Sequence, residues 1–169
     1  GPNGPCGPCS EIFYDQGSDS GCGRAECDVD CDCGRFAEIW NLVFTQFDRR
    51  DQGLLASLAA KNIDTGSGLE RVACVLQGKR SNFEIDTLQP LVDFIWRESG
   101  KPASSLTGDC LTVSRTIVDH LRAATFCIVD GVIPSNEGRG YVVRKLIRRA
   151  VWQGRQYLFT GKSAGAVLY

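Results

Sequence analysis

The run Phe36 to Phe47 (FAEIWNLVFTQF) carries β-branched and aromatic residues at both parities, the pattern of a strand covered on both faces. It is expected to be a central strand. Ahead of it, GPNGPCGPCSEIFYD reads as a Gly/Pro-punctuated loop that enters a short strand at Glu11 to Tyr14. Residues 16 to 35, between the two strands, are acidic and rich in Gly and Cys, with almost no apolar side chains from which to build a core. They are expected to be a surface insertion. Residues 48 to 60 give a polar turn followed by either a weak strand or a short helix.

The period changes after Asp64. DTGSG at Asp64 to Gly68 leads into LERVACVLQG, in which Leu69, Val72, Ala73 and Leu76 recur at helical spacing and Gly78 stands where a C-cap would. This predicts strand, glycine turn, helix. Three further helices are legible. Leu88, Leu91, Val92 and Ile95 define one; Ser114 is placed to cap a second, whose stripe is Ile117, Val118, Leu121, Ala124, Thr125 and Ile128; the third spans about Tyr141 to Trp152 and is expected to stop at Gly154. Strands thus give way to helices near residue 88, which predicts one domain over 1–88, carrying the insertion 16–35, and a second over 89–169. The fold class is α+β. No internal repeat is present.

Composition narrows the setting. No stretch approaches the roughly 20 apolar residues a membrane span needs, and no basic segment followed by an apolar run marks a signal peptide. A cytoplasmic protein without membrane attachment is expected. Nine cysteines, an odd number without an export signal, favour reduced thiols or metal ligands over a disulfide framework. The chain has no methionine and opens on Gly1-Pro2-Asn3, so it is expected to be an internal piece of a longer protein. The net charge of −1 conceals an asymmetry: residues 1–90 hold 8 Lys and Arg against 14 Asp and Glu, and residues 91–169 hold 11 against 6. A polyanion would bind the second half.

Several residue groups can carry chemistry. In the third helix, Val142, Val143, Leu146, Ile147, Ala150 and Val151 form an apolar face, while Arg144 with Arg148 and Lys145 with Arg149 make two like-charged i,i+4 pairs. Such pairs cost a few tenths of a kcal/mol each, a cost that an RNA backbone would relieve; a solvated face on a core helix fits this helix equally well. The preceding GVIPSNEGRGY presents Asn136, Glu137 and Arg139 from a constrained loop, and an Asn amide can both donate to and accept from a base edge. In DTGSGLER, Gly66 and Gly68 permit close backbone approach, Arg71 sits in the first turn of a helix where it could meet a phosphate, and Asp64 could hold an ammonium group. On the long strand, alternation puts Asn41, Val43 and Thr45 on one face, able to floor a small pocket. Glu38 has the opposite parity and can join them only at the strand entry or across a bulge. Cys22, Cys27, Cys31 and Cys33 crowd the coreless insertion, where a tetrahedral zinc would give it a reason to fold; unligated thiols are the alternative. Cys74, Cys110 and Cys127 lie in apolar contexts and read as small core residues.

GPCGPCSEI, FAEIWNLVFTQF, DTGSGLERVACVLQ and DHLRAATFCIVDGVIPSNEGRGYVVRKLIRRAV, in that order, closely resemble alanyl-tRNA synthetase over nearly the whole chain. The resemblance implies a class II antiparallel sheet flanked by helices, then a helical domain for the tRNA acceptor stem. DTGSGLER looks like motif 3 of that class. By this matching Arg71, with Gly66 and Gly68 beside it, would contact ATP, and Glu38 would help bind ATP and Mg²⁺. Asp64 would bind the alanine ammonium, with Asn41, Val43 and Gly66 lining the small amino-acid pocket. Asn136 would read the G·U pair of the alanine tRNA acceptor stem, with Arg139, Arg144, Lys145, Arg148 and Arg149 on the phosphates. The implied reaction makes alanyl-adenylate and pyrophosphate from alanine and ATP, then transfers the alanyl group to the terminal ribose of tRNA. Motifs 1 and 2 are expected upstream and the editing domain downstream, so this segment alone is expected not to aminoacylate. Zinc at the cysteine cluster is inferred from the cysteines and does not come from the resemblance. The rival readings are a non-catalytic RNA-binding module and a zinc-organised structural domain.

Overall fold

The computed structural model describes residues 3–159, which form two compact units, one ending at Ile85 and the other beginning at Asp86. The first holds an antiparallel sheet of β1 (Gly4–Cys6), β2 (Cys9–Asp15), β3 (Phe36–Arg49) and β4 (Leu55–Ser67), followed by helix α1 (Leu69–Leu76). The long apolar run is indeed the central strand: β1 and β2 share one edge of β3, and β4 takes the other.

The opening Gly/Pro segment contains a short strand, β1, that its punctuation had hidden. Gly7 makes this possible, because a Cβ there would lie 1.8 Å from the Phe44 carbonyl oxygen, and the Phe44 N–H donates to Pro8 O at 2.8 Å. Only glycine lets the connection cross β3 so closely that β1 and β2 lie end to end along it. Residues 48–60 resolve as a 3-10 turn, Asp51–Gly53, and then strand. β4 continues through Asp64, Thr65, Gly66 and Ser67, each paired with β3, so the expected glycine turn is extended backbone and α1 starts directly after Gly68. Gly78 ends α1 as anticipated. It adopts φ 61, donates to Val75 O, and is followed by a bond from Lys79 N to Cys74 O, which together satisfy the last carbonyls of the helix.

β3 is less covered than its composition predicts, with Thr45 as its one buried residue. Length explains this: eight residues of α1 span about 12 Å, against about 46 Å for the fourteen residues of β3. The insertion is a series of turns closed at its neck. Arg35 makes a two-pronged ion pair with Asp15 at 2.7 Å in each prong, and Gln16 N donates to Arg35 O at 2.9 Å.

The second unit is helical, with α2 (Gln89–Ser99), α3 (Gly108–Val129) and α4 (Gly138–Gln153). Its core comprises Val92, Ile95 and Trp96 of α2, Val113, Ile117, Val118 and Ala124 of α3, and Val143 and Ala150 of α4. Three boundaries differ from expectation, one being the start of α4 at Gly138 instead of about Tyr141, which puts Arg139 in the helix and not in the loop. α3 begins at Gly108, seven residues earlier than a cap at Ser114 would have it; Ser114 is fully buried mid-helix, where its hydroxyl donates to Cys110 O at 2.9 Å instead of capping an end. At Gly154 the chain does not stop but continues as a π-turn over Gly154–Leu158. Gly154 is there for packing, since a Cβ would sit 3.3 Å from the Phe159 ring and 3.5 Å from Ile117. Among the three cysteines read as core residues, Cys74 is buried and Cys110 and Cys127 are half-buried.

Candidate active site and nucleic-acid face

Cross-strand register assembles the first site. Asn41 lies opposite Gly66 and Val43 opposite Asp64, so the four residues occupy adjacent positions on one face of the sheet. On the other side of β3, Glu11 stands opposite Asn41 and Cys9 opposite Val43. Gly66 has an ordinary extended backbone, and a Cβ there would meet nothing within 4 Å. Neither backbone strain nor packing therefore asks for glycine. Its missing side chain leaves open space on the sheet face, bordered by a carboxylate at Asp64, a carboxamide at Asn41 and the branched Val43.

Glu38 reaches the same face through a bulge. Ile12 pairs with Trp40 and Phe13 with Glu38, so the register skips Ile39. Phe13 shares its face with Glu11, two residues back on β2, and the skipped residue turns Glu38 to the Asn41 side. Arg71 meets it there, donating from Nη1 to the Glu38 backbone oxygen at 2.8 Å with the same nitrogen 3.7 Å from Oε2. Gly68 sets this contact by bringing its own N–H to Ile39 O at 3.3 Å. Glu38 and Arg71 line a cleft of about 480 Å³, with Lys79 and Arg80 beyond α1 and Val29, Cys31 and Asp32 of the insertion on its walls. Arg80 also pairs with Asp19, tying the insertion to the segment after α1.

The four insertion cysteines converge, with all their sulfurs within 4.8 Å of one another. Cys22 and Cys31 Sγ are 3.7 Å apart and Cys27 and Cys33 Sγ 3.5 Å apart. A tetrahedron with zinc–sulfur bonds of about 2.3 Å has edges of about 3.8 Å, so the donor set suits zinc. Arg24 donates to Cys22 Sγ at 3.2 Å and to Cys31 Sγ at 2.9 Å, and its guanidinium holds the Cys22 thiol down to about 6. The Arg35 N–H lowers Cys33 in the same sense, whereas the Cys33 contact pushes Cys27 up to about 11. Thiolate is the form in which cysteine ligates a metal, so a cation held among the four sulfurs would favour it.

In the helical unit, the loop before α4 is held tightly against it. Ser135 N donates to Gly140 O at 3.1 Å, and a Cβ at Gly140 would come within 2.3 Å of Ile133 O. This fixes Asn136 over the basic side of α4, where its Oδ1 accepts from Arg144 and its NH₂ end is left toward solvent. Asn136, Tyr141, Arg144, Lys145 and Arg148 line a cleft of about 310 Å³. Arg139 and Arg149 are exposed but outside that lining.

Residues 1–162 match the family model described as tRNA synthetases class II (A). The chain belongs to this family. It is similar to the alanine–tRNA ligases of Acetivibrio thermocellus, 53% identical over 152 residues, and Carboxydothermus hydrogenoformans, 55% identical over 153 residues, in each case over 90% of this chain. With that of Desulfosudis oleivorans it shares 48% identity over 171 residues, 99% of this chain. The chain spans 17–19% of the length of these relatives.

For a class II synthetase chain, the structure thus brings Asn41, Val43, Asp64 and Gly66 together, adds Glu38 through the bulge, and joins Arg71 to Glu38. Glu11, Lys79, Arg80 and Tyr141 were not singled out from the sequence. Glu11 and Asn41 are neighbours only through pairing across 30 residues, which no local pattern reports. Tyr141 could have been noticed, being an aromatic one helical turn before the basic pair Lys145 and Arg149. Among the described residues no helix is long and apolar enough to cross a membrane.

Proposed function

We propose that this chain is part of an alanine–tRNA ligase and contributes its amino-acid pocket, one side of its ATP site and the start of its tRNA-recognition region. The observation that carries this reading is the open space over Gly66, bordered by Asp64, Asn41 and Val43. A free amino acid needs a carboxylate for its ammonium, supplied by Asp64 through a charge-assisted hydrogen bond. Val43 limits the side chain, since an additional methylene in such a pocket is worth about 1–3 kcal/mol of discrimination. Arg71 is placed to bind the phosphates of ATP, and Glu38 is the carboxylate available to Mg²⁺. Gly66 and Gly68 allow the nucleotide close to the backbone. With alanine and ATP so held, activation proceeds by attack of the alanine carboxylate on the α-phosphate, breaking the α–β phosphoanhydride bond and expelling pyrophosphate, helped by positioning and by cationic stabilisation of the charge that develops.

Asn136, Arg144, Lys145 and Arg148 receive the acceptor stem of alanine tRNA, with Arg139 and Arg149 adding phosphate contacts. The Asn136 amide, oriented by Arg144, offers donors to a base edge. Cys22, Cys27, Cys31 and Cys33 hold a structural zinc that shapes the cleft wall containing Cys31. The domain division is taken at residues 1–88 and 89–169, and the parent protein acts in the cytoplasm.

The test is alanine-dependent ATP–pyrophosphate exchange by the full-length protein, with and without Asp64→Asn. Exchange specific for alanine and lost in the variant supports the reading. A folded protein that binds tRNA but catalyses no exchange with any amino acid would replace it with a non-catalytic RNA-binding module.

A further inference from the structure

Glu11 has no place in the chemistry above, yet it stands directly opposite Asn41 in the register of β2 and β3, and Asn41 Nδ2 donates to Glu11 Oε1 at 3.0 Å. We infer that Glu11 is a positioning residue for amino-acid recognition, fixing the Asn41 carboxamide so that its oxygen faces the space over Gly66. This rests on the proposal that Asp64 and Asn41 bind alanine.

The physical reason is one of donors and acceptors. An amide side chain can be turned about its last bond to exchange its NH₂ and its oxygen, and the two arrangements present opposite hydrogen-bonding character to a ligand. A carboxylate can only accept, so the Asn41 group facing Glu11 must be the NH₂. The oxygen of the planar carboxamide is then turned away from β2, on whose opposite side lies Gly66. Asp64 is the next position along that side, two residues from Gly66 on β4. The alpha-ammonium of the amino acid, with three donors, would meet two acceptors, the Asp64 carboxylate and Asn41 Oδ1. Without Glu11 nothing holds the carboxamide in that arrangement, and the hydrogen bond from the ammonium to Asn41 Oδ1 is lost. Glu11 is solvent-exposed on a strand that β3 holds by backbone pairing, so its replacement leaves the sheet intact.

The experiment uses the full-length protein and measures KM for alanine and kcat in ATP–pyrophosphate exchange. Glu11→Ala is expected to raise KM for alanine about tenfold, the scale of one charge-assisted hydrogen bond, with kcat and KM for ATP changed less than about threefold. Glu11→Gln keeps an acceptor for Asn41 and is expected to stay within about threefold of wild type. In an Asn41→Ala background, Glu11→Ala is expected to add nothing further, because there is no carboxamide left to orient. An unchanged KM in Glu11→Ala overturns the inference. So does equal impairment of the Ala and Gln variants, which would make Glu11 a charge acting directly on the substrate, or a full additional effect in the Asn41→Ala background. If instead Asp64→Asn leaves alanine-dependent exchange intact, the alanine-pocket reading itself has failed.

Discussion

Gly66→Ala separates a ligand's requirement for glycine from the fold's. A glycine within a strand costs about 0.5–1 kcal/mol relative to alanine through its extra freedom when unfolded. At Gly66 the backbone is extended and the added methyl meets no atom within 4 Å, so no steric term offsets that gain. The variant is expected to be as stable as wild type or more stable by a few tenths of a kcal/mol up to about 1 kcal/mol, read as an equal or higher midpoint in thermal unfolding. The methyl does, however, enter the space bordered by Asn41, Val43 and Asp64. One methylene in a close-fitting pocket is worth about 1–3 kcal/mol, or roughly 10- to 200-fold, and kcat/KM for alanine in ATP–pyrophosphate exchange is expected to fall by that factor. Unimpaired kcat/KM would show that the space is not where the amino acid binds. A lower melting midpoint with the same loss of activity would refute the reasoning differently, by making Gly66 a structural glycine.

Gly140→Ala is expected to behave in the opposite way: its Cβ would come within 2.3 Å of Ile133 O and 2.4 Å of Ser135 Oγ, a conflict costing about 1–3 kcal/mol, and chemical denaturation should show that loss. Cys27→Ser should lower zinc, measured by elemental analysis of purified full-length protein, by one equivalent, since four thiols within 4.8 Å become three; an unchanged content would leave the insertion without a metal. Arg148→Ala should weaken tRNA binding and reduce the slope of log affinity against log salt by about 1, whereas an unchanged slope would identify a merely solvated basic face. Acid should selectively loosen the neck of the insertion. Arg35 holds the Asp15 carboxyl down to about 2 from an ordinary 3.8, so this pair contributes fully above 3.8 and is lost as pH falls through about 2. The stability difference between wild type and Arg35→Gln, followed by denaturation at a series of pH values, should shrink across that window and be constant above it.

Much of this architecture is written locally. The apolar content of residues 36–47 made β3 central, the scarcity of apolar side chains left residues 16–35 to turns between two strands, and 3.6-residue periodicity located the four α-helices of the described residues, with Gly78 ending α1. Alternation alone put Asn41 and Val43 on one face. Helix boundaries were less legible where a residue has two uses: Ser114 serves buried hydrogen bonding as well as it would a cap, and Gly154 serves close packing as well as it would a helix end.

What only the tertiary structure decided depends on hydrogen bonds between residues far apart in the chain. The bulge at Ile39 turns Glu38 to the side of Asn41 and toward Arg71, and parity alone pointed the other way. Pairing across the sheet set Asp64 and Gly66 beside Val43 and Asn41, drew DTGS out as strand, and placed Glu11 against the Asn41 amide. The closeness of Cys22, Cys27, Cys31 and Cys33 likewise depends on turns closed by the Asp15–Arg35 pair. Side-chain periodicity is a property of the local backbone and is carried by neighbouring residues. Register is a property of two strands at once, and a single skipped residue exchanges the faces, so the site's final composition was settled only when the strands met.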